Sequence, residues 1–150
     1  MPSEVPTLLV LDTQPARQVA LTERLSEHFR LAPLPPKADV VRHVRNSKPE
    51  MVLLVVHPGH PERTFRLAHS LKTDLSAVSR LAVVNIEGPD RDADQVRDED
   101  FVDAYYEGPD DLDAIVAFTR AVANGENRFE VHPRNQRLRM LRRFVARWRT

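Results

Sequence analysis

Apolar and polar positions alternate along this chain in two different rhythms, and the rhythms take turns. Thr7–Leu11 is a short, wholly apolar run, as is Met51–Val56, and each matches a strand covered on both faces of a sheet. Between them the period lengthens. Leu21, Leu25 and Phe29 recur at i, i+4 and i+8, which predicts a helix over about 16–29. A weak strand at Arg30–Leu34 runs into Pro35 and Pro36, and proline is tolerated chiefly on sheet edges. Asp39 is placed to cap a short helix to Asn46, with Val40, Val41 and Val44 turned inward.

The alternation continues to residue 125. A third helix is expected over Thr64–Leu75, burying Phe65, Ala68 and Leu71, and a fourth strand over Leu81–Ile86, stopped by Gly88-Pro89. The stretch from Asp90 to Asp100 is so polar that any helix there should be short. Val102–Tyr106 reads as a fifth strand ending at Gly108-Pro109. A last helix follows over about Asp110–Asn124, with Leu112, Ile115, Val116, Thr119 and Val122 inward and Gly125 at its end. Strict alternation of strand and helix predicts an α/β fold with a parallel sheet. In the flavodoxin-like order 2-1-3-4-5 the second strand is an edge, which suits its weakness.

Composition narrows the function. The apolar share of 41% and charged share of 29% fit a soluble globular protein of one domain. No run approaches the roughly 20 apolar residues of a membrane span, and Met1-Pro2-Ser3-Glu4 lacks the features of a secretory signal. A cytoplasmic protein is expected. Without cysteine there is no disulfide, thiolate metal site or cysteine nucleophile. No Gly-rich phosphate loop, G-x-S-x-G or H-E-x-x-H is present, so the expectation is a protein that is not an enzyme, with no catalytic residue, metal or cofactor.

The zero net charge hides a split. From Arg128 onward lie eight of the 22 basic residues and one of the 22 acids, leaving 14 basic and 21 acidic in residues 1–127. The body is near −7 and the tail near +7. Two domains follow: a body over 1–125 and a basic tail over 126–150. Within the tail, Asn135–Trp148 is helix-compatible, with Leu138, Leu141, Val145 and Trp148 on one stripe and arginines, Arg134, Arg137 and Arg142 among them, around it. That stripe must bury against the body, a second copy, a partner or a membrane interface. Docking on an acidic face is favoured over nucleic-acid binding, and membrane attachment ranks last.

One strand carries a resemblance. Lys48-Pro49-Glu50-Met51-Val52-Leu53-Leu54-Val55 resembles the third strand of the response-regulator receiver domain, K-P-D-L-V-L-L-D. In that family the strand ends on the aspartate that accepts a phosphoryl group, where this chain has Val55. The family's acidic pair after the first strand meets Asp12-Thr13, so only Asp12 remains. The hydroxyl after the fourth strand falls near Asn85, and the lysine of the K-P element after the fifth falls on Gly108. The resemblance implies a receiver-like fold, stripped of the chemistry, in bacterial two-component signal transduction. Asp12 itself is expected to cap the helix starting near Pro15. His57 and His60, on the loop after the third strand, read as exposed loop residues. Glu87 and Glu107 could approach Asp12 only as a weak cation site.

Function would then come from surfaces. Eleven acids lie between Asp90 and Asp113. The resemblance implies that this side, with Asp98, Asp100, Asp103, Tyr105, Tyr106 and Asp110, contacts partners. One tyrosine is expected in the core and the other as an exposed anchor. The expectation is a phosphorylation-independent pseudo-receiver adaptor that binds a signalling protein and forms a homodimer. The alternative is a nucleic-acid-binding regulator that uses the tail arginines, with the body as dimerisation scaffold.

Overall fold

A computed structural model describes residues 5–33, 39–56, 61–74, 80–86 and 102–131. The elements run β1 (Thr7–Leu11), α1 (Pro15–Leu25), β2 (Arg30–Leu31), α2 (Val40–Ser47), β3 (Met51–Val55), α3 (Pro61–Asp74), β4 (Arg80–Ile86), β5 (Ala104–Gly108), α4 (Leu112–Ala123) and β6 (Phe129–Val131). All pairings are parallel, in the order β2-β1-β3-β4-β5-β6. This is a flavodoxin-like, receiver-like fold, with the expected five-strand order extended by one strand.

Period-2 alternation of side chains explains the layering. Leu8, Val10, Leu53, Val55, Val84 and Tyr106 face one side, where Leu21 and Leu25 of α1 and Ile115, Phe118 and Val122 of α4 pack on them. Leu9, Val52, Leu54, Val83 and Tyr105 face the other, under Val44 of α2 and Phe65, Ala68 and Leu71 of α3. The sheet is therefore apolar on both faces, and the wholly apolar runs of β1 and β3 are its central strands. β2 is a two-residue edge strand, shorter than the Arg30–Leu34 expected.

The helix ends follow local chemistry. Asp39 caps α2 by accepting the Arg42 N–H at 3.3 Å. Lys48 ends that helix in the left-handed region (φ 49°), its N–H donating to the Val44 carbonyl at 2.8 Å. Asp111 caps α4, accepting from the N–H groups of Asp113 and Ala114 at 3.1 and 3.3 Å. Arg80 closes the other end of α4. Its Nε donates to the Val122 carbonyl at 3.2 Å and its Nη2 to the Glu126 carbonyl at 2.6 Å.

Helix α4 carries the chain back for β6, which lies within the 126–150 segment expected as tail. Phe129, Glu130 and Val131 stand in register with Tyr105, Tyr106 and Glu107, and the Tyr105 N–H donates to the Arg128 carbonyl at 2.7 Å. Three residues with a charge in the middle leave no apolar run, so the strand is set by pairing to β5 and by partly buried Phe129.

Candidate functional site

In open parallel sheets, ligand sites form outside the carboxyl ends of the strands. Asp12 leaves β1 there, its side chain fully buried. The expected helix cap is not its role: Gln14 is the N-cap of α1 and makes no side-chain cap bond, while Pro15 occupies the first helical turn. Asp12 Oδ1 instead accepts the Gln14 N–H at 2.9 Å. The resulting turn brings Arg17 back over the carboxylate. Arg17 Nε donates to Oδ2 at 2.5 Å and Nη2 to Oδ1 at 3.0 Å, a bidentate pair. Arg17 Nη1 lies 3.6 Å from Asp110 Oδ2, on the loop entering α4. The hydrogen bond to Asp12 raises the guanidinium above its ordinary pKa against the opposing effect of burial. Thr13 is exposed beside this group.

Val55 ends β3 in the apolar layer beneath α1 and α4, 3% exposed and in register with Val84. Asn85 ends up on the opposite face. Its Nδ2 donates to Tyr105 Oη at 2.9 Å, and Tyr105 Oη donates to Glu107 Oε2 at 2.9 Å. All three are buried, forming a polar chain between the ends of β4 and β5. A Cβ added to Gly108 would sit 3.1 Å from Tyr106 Oη, so the tyrosine ring fills the space beside this position. Tyr106 Oη donates to the Pro109 carbonyl at 3.1 Å, and its ring tilts against Phe118 at 5.7 Å. Burial, then the charges of Asp111, Glu130 and Asp110, raises its phenol pKa.

The positions equivalent to a receiver site are thus near one another but split between two faces of the sheet. A divalent cation does not fit these positions. Both Asp12 oxygens are held by Arg17, the Val55 side chain offers no oxygen, and Asn85 Nδ2 is engaged with Tyr105. Among the described residues no group of three or more His, Asp or Glu is placed to hold a metal. Glu107 belongs to the Tyr105 chain; Glu87, His57 and His60 lie outside the described residues.

Among the described residues, the members of the expected interaction face do not share one surface. Tyr105 and Tyr106 are 2% and 6% exposed, so neither is an exposed anchor. A strand covered on both faces buries neighbouring residues alike. Asp103 precedes β5 at the amino end of the sheet, accepting the Leu81 N–H at 2.7 Å and Lys72 Nζ at 2.6 Å. Asp110 lies beyond the carboxyl end of that strand and is half exposed. Asp98, Asp100 and the tail residues Arg134, Arg137, Leu138, Leu141, Arg142, Val145 and Trp148 lie outside the described residues. Sequence reasoning missed Arg17; the available signal was a basic residue one turn into the helix after Asp12-Thr13-Gln14-Pro15. It also missed Arg80, whose partners are backbone carbonyls 42 and 46 residues away.

Among solved structures, the chain is similar to a response regulator protein from Burkholderia multivorans, determined in solution. The TM-score is 0.57 with 18% identity, over 80% of this chain and 96% of that one. This likeness shows the fold. No protein-family model matches the chain, and no curated protein does. Among the described residues no helix is long and apolar enough to cross a membrane.

Proposed function

We propose that this chain is a phosphorylation-independent pseudo-receiver, a signalling adaptor that works by protein–protein contact. The signalling role is carried over from the similar response regulator, whose fold it shares. The observation that carries the phosphorylation-independent part is Val55, an apolar side chain sealed in the core at the strand end where a receiver presents its acceptor. Phosphoryl transfer depends on a positioned carboxylate and on charge neutralisation. A valine cannot accept the group, and the one remaining carboxylate, Asp12, has its charge met by Arg17.

The test has two arms on the full chain. Incubation with acetyl phosphate and magnesium should leave no hydroxylamine-labile phosphate and no change in the amide NMR spectrum. A phosphorylated Asp12 would overturn the reading. Affinity purification from source-cell lysate should then retain a defined protein that survives nuclease and salt. Retention of nucleic acid, lost steeply as salt rises, would replace the adaptor by the nucleic-acid-binding regulator.

A further inference from the structure

The Asp12–Arg17–Asp110 group joins three parts of the chain: the end of β1, the first turn of α1 and the loop entering α4. The Arg17 side chain is 11% exposed, and its guanidinium lies between two carboxylates, one fully buried and one half exposed. A carboxylate buried without compensation is strongly unfavourable, so Asp12 requires a cation at this point. We propose that Arg17 is a resident counter-cation that closes this strand edge to divalent ions and holds β1, α1 and the α4 loop in one arrangement. The inference rests on the phosphorylation-independent reading of the same site and says what replaces its switch: a covalently attached charge that never dissociates.

Two properties of the group support this. The planar fork of arginine satisfies both oxygens of Asp12 at once, which a hydrated divalent ion could match only by displacing it. Asp110 approaches the same guanidinium from another nitrogen, so removing Arg17 would leave two hard oxygen donors around one vacated position. Arg24 on α1 also pairs with Asp113 on α4, so the two helices are joined at a second point when Arg17 is altered.

Manganese line broadening in the amide NMR spectrum of the full chain tests the proposal. At millimolar manganese the unaltered protein should show no selective broadening at Thr13, Gln14 or Asp111. Arg17→Gln should broaden these amides selectively, with an affinity on the order of 1 mM, as for weak carboxylate sites. Adding Asp12→Asn to Arg17→Gln should abolish the effect. Selective broadening in the unaltered chain overturns the proposal, and so does its absence in a folded Arg17→Gln. An Arg17→Gln protein that folds only when magnesium or manganese is supplied supports it; one unfolded with and without them overturns it. Manganese binding to the unaltered chain without phosphoryl uptake defeats this inference alone, whereas uptake from acetyl phosphate defeats the reading beneath it.

Discussion

Restoring an aspartate at position 55 should cost this protein stability in a pH-dependent way. Val55 is 3% exposed among Val10, Leu53 and Val84. Val55→Asn removes a buried side chain worth about 1.5–3 kcal/mol and leaves an amide short of partners at about 1–3 kcal/mol. Val55→Asp adds the cost of an ionised group. Burial raises a carboxyl pKa, and a rise of about three units corresponds to about 4 kcal/mol at neutral pH. The sign follows from protons: below about pH 4 the folded and unfolded chains both hold the proton. As pH rises, the unfolded chain releases it first and the folded state loses ground, up to the raised folded value. Urea unfolding of the two variants at about pH 3 and pH 7 isolates the charge, because the change of shape cancels between them. The aspartate should match asparagine at the lower pH and fall several kcal/mol below it at the higher, out of a total of about 5–15 kcal/mol for a typical domain. Equal stability of the two variants at both pH values would refute a sealed strand end and describe an open, hydrated one.

Three further outcomes are expected. Arg80→Met strips the cap from the Val122 and Glu126 carbonyls and should cost about 1–2 kcal/mol, read as a fall in Tm of about 3–6 °C by calorimetry. Lys48→Gly relieves a left-handed lysine while keeping its N–H bond to Val44. A net gain on the order of 0.5–1 kcal/mol should appear in urea unfolding, the left-handed strain exceeding the glycine entropy cost. Gly108→Ala presses a methyl group on the Tyr106 hydroxyl and on Cζ, 3.3 Å away; the expected loss of about 1–3 kcal/mol should shrink, without vanishing, in a Tyr106→Phe background.

The central strands were legible because both faces of the sheet are covered, so Leu8–Val10 and Met51–Val55 show no polar interruption at all. The same logic, applied to β5, would have buried both tyrosines; the acids flanking Tyr105-Tyr106 masked it. Glu107 escaped notice as a core residue because a carboxylate at a strand end reads as exposed, whereas its burial depends on a hydroxyl from Tyr105, two positions earlier on the same face of β5. Helix α1 was expected four residues too long, since Phe29 keeps the helical spacing. The chain instead turns after Leu25, and the Phe29 N–H still bonds back to the Leu25 carbonyl, which leaves the ring in the core. The capping aspartates Asp39 and Asp111 lie at the expected helix starts, but Asp12 is diverted from capping by a nearby guanidinium, a competition that a propensity rule does not weigh.

Strand β6 gives the segment after it a fixed point of departure. Because β6 runs parallel to β5 and Val131 is in register with Glu107, residues 132–150 are tethered at the carboxyl edge of the sheet, with seven arginines attached. A short tether makes a second binding event intramolecular, with an effective concentration in the millimolar range. For a partner that engages both that edge and those arginines, the second contact belongs to the same encounter, and a free peptide of the same sequence would have to be supplied at about that concentration to compete.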